Sequence, residues 1–279
     1  MSSPTIIIGA PRSGTNMLRD LLSQLDDYTT WPCDEINYIW RHGNRSYPSD
    51  EFPVSLATDS VKSYIRSQFS RIARNKPATR VLEKTCANSL RVPFVESILP
   101  NANYVFIVRD GQDVVASASK RWKASLDLPY ILKKVQYIPK SDIPFYATKY
   151  LSARLYKIFS TDKRLKYWGP RLHNIDELLL SHSLAQVCAL QWKRCVELAT
   201  NDLARIPSNR VYKINYDVFV KSPAEEFLKL TQFLQLATTY DEALTITSAV
   251  SKKSIGKSRS EFSTATYEEI EDIISGTQI

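Results

Sequence analysis

Histidine is scarce in this chain. There are three, His42, His173 and His182, alongside two methionines and seven glycines. So few glycines exclude a glycine-rich linker. The four cysteines, Cys33, Cys86, Cys188 and Cys195, lack metal-ligand spacing and are too few for a disulfide framework. Reduced, cytosolic cysteines are the expectation, with a Cys33–Cys86 bridge left open. No stretch approaches the roughly 20 apolar residues of a membrane span. The start, Met1-Ser2-Ser3-Pro4, has no basic segment, and the apolar run after it is too short for a secretion signal. The expectation is a cytoplasmic protein. Acids are also in deficit: 29 against 37 Lys and Arg, for a net charge of +8. That balance favours an anionic partner, such as a nucleotide phosphate, an acidic glycan, a membrane surface or nucleic acid.

What is present is ordinary globular material, 43% hydrophobic, with an aromatic share of 11% that is rich in tyrosine. A length of 279 residues suits one large α/β domain. The most informative stretch comes first. Thr5-Ile6-Ile7-Ile8 reads as a buried strand, followed by a loop bounded by Gly9 and Gly14. A helix then leaves with Met17, Leu18, Leu21, Leu22 and Leu25 on one face. Strand, glycine-bounded loop and helix start make an anion site from free N–H groups and the helix dipole. The Gly9-to-Gly14 spacing is that of a Walker A loop, but Thr15-Asn16 replaces its Lys-Ser/Thr and the cation sits at Arg12. The loop suits a phosphate that needs no metal.

Further along, Trp31-Pro32-Cys33-Asp34-Glu35 leads into a short helix with Ile36, Ile39 and Trp40 on its apolar side. Residues 43–56 read as loop and 58–73 as an amphipathic helix. A second strand, Arg80 to Thr85, precedes a helix over 88–98. A third, Asn103 to Val108, ends in Arg109-Asp110-Gly111 and runs into a helix that reaches Arg121. The alternation predicts parallel strands, right-handed crossovers and a ligand at the strands' carboxyl ends. Arg12, Lys84 and Arg109 all fall just past such ends. Three converging cations suit a ligand with two phosphates or similar charge.

These residues resemble the sulfotransferases that use 3′-phosphoadenosine 5′-phosphosulfate (PAPS) and release 3′-phosphoadenosine 5′-phosphate (PAP). Pro11-Arg12-Ser13-Gly14-Thr15, with Asn16 after it, resembles their 5′-phosphosulfate loop. Arg109 and Ser117, eight residues on, resemble their 3′-phosphate motif. Arg121 stands where the protein-tyrosine branch places another 3′-phosphate contact. Val211 to Asp217 is similar to a later strand whose tyrosine, here Tyr216, touches the nucleotide. Ser254 to Arg259, with Ser254 and Lys257, is similar to the segment that closes over it. The resemblance spans roughly residues 4–122 and 182–275. It implies a three-layer α/β fold of the P-loop-like sulfotransferase type, with a central, mainly parallel sheet and flanking helices.

It also implies PAPS as sulfuryl donor, no required metal, and a general base. The cytosolic small-molecule branch has a histidine after Lys-Thr; here the segment is Lys84-Thr85-Cys86. The tyrosylprotein and carbohydrate branches use a glutamate, and Cys33-Asp34-Glu35 is similar to that segment. Glu35 is the expected base and Asp34 the alternative. Lys84 and Arg12 are the expected stabilisers of the leaving group. Both acids could instead be caps or surface residues.

Residues 123–178 break from a compact core pattern. Tyr130, Tyr137, Phe145, Tyr146, Tyr150, Tyr156, Phe159, Tyr167 and Trp168 alternate there with Lys133, Lys134, Lys140, Lys149, Arg154, Lys157, Lys163, Arg164, Lys166 and Arg171. One domain over 1–279, with an acceptor-binding insertion there, is the expectation. A solvated helical hairpin is the plainer reading. Helices are predicted over 182–203, 223–235 and 240–250, with an acidic one from Tyr267 to Ile274. The acceptor expected first is a glycan or glycolipid hydroxyl, with a peptide tyrosine second. Peripheral membrane contact fits the charge, whereas a nucleic-acid groove is not evident. From other classes, a P-loop kinase or a non-catalytic nucleotide-binding module would use the same loop.

Overall fold

A computed structural model describes residues 3–74, 80–123, 136–148, 165 and 167–278. Its frame is a five-stranded sheet. The strands are β1 (Thr5–Ile8), β2 (Tyr28–Thr29), β3 (Arg80–Lys84), β4 (Asn103–Val108) and β5 (Val211–Asn215), in the order β2-β3-β1-β4-β5. Every pairing is parallel. The short strand β2 carries no periodicity and was not expected; it forms because Tyr28 and Thr29 lie beside Arg80 and Val81.

The unbroken apolar run of β1 has a structural cause. A parallel strand covered on both faces needs apolar side chains at every position. All four β1 residues are buried. Ile6 and Ile8 join Tyr104, Phe106 and Val108 in one core, while Ile7 joins Leu82, Val105, Ile107 and Ile214 in the other. Two cores on opposite faces of one sheet give three layers.

Helices α1 (Thr15–Leu22), α2 (Asn37–Trp40), α3 (Asp59–Arg74), α4 (Val92–Ile98) and α5 (Gly111–Lys123) follow the early strands. The predicted helix over 88–98 is in fact two pieces, a 3-10 turn at Cys86–Leu90 and then α4. Arg91 breaks it, with φ −152° and ψ 36° outside the helical region, and Pro93 then sits in the first turn of α4. Its guanidinium is buried and donates to Asn88 and Asn37. The longest helix, Leu184–Leu203, opens on a capping box built by Ser183 and Gln186. It packs on α5 and on the helix Thr264–Ile274. Helices also span Pro223–Phe233 and Tyr240–Thr247.

Two further expectations are corrected. Residues 211–217 are not all strand. β5 stops at Asn215, whose side chain accepts from the N–H groups of Asp217 and Val218 and so caps a helix, Tyr216–Lys221. The 123–178 stretch also contributes to the core through Leu172 and Ile175, at the start of a helix over Ile175–Ser181. Within it, Tyr130, Lys133, Lys134, Lys149, Tyr150, Arg154, Tyr156, Lys157, Phe159, Lys163, Arg164 and Lys166 lie outside the described residues. All four cysteines are free and buried, so Cys33 and Cys86 form no bridge. No helix among the described residues is long and apolar enough to cross a membrane.

Candidate active site

Register sets the site. Ile7 pairs with Lys84, Ile8 with Phe106, and Val108 with Asn215. The carboxyl ends of β1, β3, β4 and β5 therefore open on the same edge of the sheet. A cavity of about 890 Å³ lies there.

The loop after β1 forms its floor. Arg12 has φ 71° and Gly14 φ 95°, both in the left-handed region. Only glycine fits at 14: a Cβ there would stand 2.6 Å from the Tyr216 ring. Helix α1 starts without a side-chain cap, so its first N–H groups remain for a ligand in the loop. Ser13 departs from expectation. It is fully buried, is not on the cavity wall, and its Oγ has no hydrogen-bond partner.

Three guanidiniums gather beside the loop. Arg12 Nε donates to Ser117 Oγ at 2.9 Å, which joins the first loop to α5. Arg109 donates to the Arg12 carbonyl at 3.1 Å and lies 4.6 Å from the Tyr216 ring centroid. Arg121 lines the same cavity. Burial, then repulsion from Arg121 and Arg109, pulls the Arg12 pKa down. A cation made more acidic by neighbouring cations is one that an anion would relieve. The buried Arg109 Nε has no partner in the protein. By charge and by these open donors, the residues fit a bound phosphate or sulfate ester.

A strap from the C-terminal part covers this end. Arg109 donates to the Ser254 carbonyl, and Tyr216 and Ser254 share a hydroxyl hydrogen bond of 2.6 Å. The buried Asp113 carboxylate accepts from the N–H groups of Gly256 and Ser258 at 2.7 and 2.9 Å. It also pairs with Arg109 at 3.4 Å. Ser254 and Lys257 lie on the cavity wall. Asp113 was missed by the sequence reading, although its position four residues after Arg109 on a helix was the available signal.

The opposite end is built on β3. Lys84 is buried, and its Nζ donates to Glu35 Oε1 at 3.1 Å. The Cys86 N–H reaches the same oxygen at 3.5 Å. Burial lowers the Lys84 pKa, but attraction to Glu35, with smaller contributions from Cys86 and Asp34, outweighs it and the net shift is upward. Lys84 is thus an ammonium at neutral pH. Asp34 and Glu35 both line the cavity. None of the three histidines does; His42 instead bonds Asp142 at 2.9 Å.

Pro11, Arg12, Gly14, Thr15, Asn16, Glu35, Lys84, Arg109, Ser117, Arg121, Tyr216, Ser254 and Lys257 thus meet in one cavity. Tyr167 and Trp168, from the basic aromatic stretch, add a wall together with Gly169, which the sequence did not single out. The buried Gln191 holds it, donating to the carbonyls of Trp168 and Pro170 at 3.1 and 2.9 Å. No short-range pattern announces a contact between residues about twenty positions apart.

Comparison with known proteins agrees with this geometry. Residues 4–137 match the model of the Sulfotransferase family. No curated protein matches the chain. Among solved structures, the sulfotransferase domain from the curacin biosynthetic pathway is 13% identical at a TM-score of 0.57, covering 99% of this chain and 98% of that one. A Mycobacterium tuberculosis sulfotransferase is 15% identical at 0.52, covering 99% and 77%. A mouse sulfotransferase complexed with PAP is 13% identical at 0.52, covering 99% and 85%. The matched segment holds the phosphate loop, Glu35, Lys84 and Arg109. Residues 4–137, just under half of the chain, thus match the Sulfotransferase family, and the whole chain shares the P-loop-like fold of solved sulfotransferases.

Proposed function

We propose that this enzyme moves the sulfuryl group of PAPS to a hydroxyl of a glycan or glycolipid, with Glu35 as general base and no required metal. The observation that carries the reading is the shared cavity: its wall carries both the cluster of Arg12, Arg109 and Arg121 and the Lys84–Glu35 pair. When bound, PAPS supplies a sulfuryl group on a phosphate leaving group. The chain's residues supply placement and charge. Arg109, Ser117 and Arg121 hold the 3′-phosphate, and the strap at Ser254 and Lys257 closes over the nucleotide. Pro11 to Asn16 cradles the 5′ end with backbone N–H groups and the Arg12 guanidinium.

In-line sulfuryl transfer resembles phosphoryl transfer, in which a loose transition state leaves little covalent work to the protein. Charge grows on the leaving oxygen, so a preorganised cation there lowers the barrier. Lys84 is charged, buried and directed into the cavity, which suits it to that task. Glu35 accepts the acceptor's hydroxyl proton. Lys84 holds it in place at 3.1 Å, and when Lys84 turns to the leaving oxygen the Glu35 carboxylate is free to take that proton. A P-loop kinase would need a cation where Thr15 stands, yet the buried Thr15 hydroxyl contacts Cys86 Sγ at 3.5 Å.

Support for the acceptor class comes from Tyr167 and Trp168, whose aromatic faces suit a sugar ring. Four buried free thiols suit a reducing compartment and favour the cytoplasm. The test is transfer of labelled sulfate from PAPS to a panel of glycans, glycolipids and tyrosine peptides, with chelator present. Turnover on a glycan or glycolipid is the expected result. Turnover only on tyrosine peptides would overturn the acceptor assignment, and a strict metal requirement would overturn the metal-free mechanism.

A further inference from the structure

Beneath the Lys84–Glu35 pair lies a second carboxylate that the mechanism above does not use. Glu83 is fully buried. Its Oε1 accepts from Thr85 Oγ1 at 2.5 Å and from Trp40 Nε1 at 3.1 Å, and its Oε2 accepts from Asn88 Nδ2 at 2.9 Å. These donors come from three pieces of chain: the end of β3, helix α2, and the 3-10 turn after β3. Thr85 Oγ1 in turn accepts from the Ile36 N–H at 3.2 Å. The residue after Glu35 is therefore tied to the residue after Lys84, and the tie rests on Glu83.

We infer that Glu83 and Thr85 are positioning residues for the Lys84–Glu35 pair, setting how the general base stands against the lysine. The inference rests on the assignment of Glu35 as base. Its physical basis is that Glu35 lies in a stretch with little regular structure, from Trp31 to Ile36, whose backbone needs fixed points. One is the Cys86 N–H beside the Glu35 carboxylate. Another is the Thr85 hydroxyl beneath the Ile36 amide. By taking the Thr85 proton, Glu83 fixes that hydroxyl's orientation and leaves its lone pairs facing the Ile36 amide. Trp40 anchors α2 to the same carboxylate, so the chain just after Glu35 is held at two points, Ile36 and Trp40. Burial pushes the Glu83 carboxyl up to about 7, with Thr85, Trp40, Lys84 and Arg91 opposing that rise. An acid kept at such a cost in hydration is weakly explained by packing alone.

The test separates chemistry from binding and folding. In Thr85→Val the shape is kept and the hydroxyl removed. The expected result is a kcat about 10- to 100-fold lower, the effect of a small misplacement of reacting groups. KM for PAPS and affinity for PAP stay at parent values, and Thr85→Ser regains most of the lost kcat. Glu83→Gln keeps acceptors for Thr85 and Trp40 but sets an amide against Asn88, so it falls in the same direction. Parent kcat in Thr85→Val would overturn the inference, as would equal losses in kcat and PAP affinity. Glu35→Gln is run in parallel. If it loses turnover while Thr85→Val does not, only the positioning role fails. If Glu35→Gln is fully active, the base assignment itself fails.

Discussion

At the Arg109 end of the cavity, cations crowd one another. At the Lys84 end, one cation and one carboxylate are matched. Arg12 has its pKa lowered by burial and then by Arg121 and Arg109, whereas Lys84 has its pKa raised because Glu35 outweighs burial. The first end is completed by a ligand's negative charge. The second is complete without one, and must be rearranged for chemistry to occur. On the proposed mechanism, affinity resides chiefly with the crowded arginines and the strap, and turnover with the matched pair.

That separation can be broken by substitution. Lys84→Ala removes the buried cation and leaves Glu35 without its nearest partner. Turnover is expected to fall by at least about 10³-fold, the scale of losing a preorganised charge at the leaving group. PAP affinity, measured by calorimetry, should fall far less. A Lys84→Ala enzyme with parent kcat would contradict the division. Glu35→Gln is expected to lower kcat by about 10²-fold or more, the usual contribution of a positioned base. Its PAP titration should match the parent's; a joint loss would assign Glu35 to the nucleotide instead.

A smaller effect concerns pH and stability. Glu83 titrates at about 7 in the folded protein because burial disfavours its charge. The unfolded chain releases that proton in the ordinary carboxylate range, near 4.5. Between these values the folded state holds more protons, so this group's stabilisation is complete at lower pH and is lost as pH rises towards 7. Tm should therefore fall across that interval more steeply in the parent than in Glu83→Gln, which cannot titrate. Equal slopes would show that Glu83 does not carry the effect.

Most of the Arg109 end was legible in the sequence, because its parts are local. A β-branched strand, a Gly9-to-Gly14 loop and an apolar helix state their own geometry, and Arg109 and Ser117 follow at fixed helical spacing. The Lys84 end was legible in its members but not in its construction. Nothing near Lys84 announces that Thr85 will hold the Ile36 amide, 49 positions away. Asp113 was missed because its partners, Gly256 and Ser258, are brought to it only by the folded strap. The strand expected over 211–217 failed at Asn215, where a side-chain cap outweighed the apolar run. The break at Arg91 was hidden for a similar reason: a buried ion cluster with Asp50 and Arg41 holds it, not a helix signal.

The central claim is that the crowded end receives the 3′-phosphate nucleotide. Calorimetric titration with PAP, against AMP and ATP–Mg²⁺, tests it most directly. The account predicts micromolar or tighter binding of PAP, clear preference over AMP, and loss of that preference in Arg109→Ala. Equal binding of PAP and AMP, or tighter binding of ATP–Mg²⁺, would contradict it.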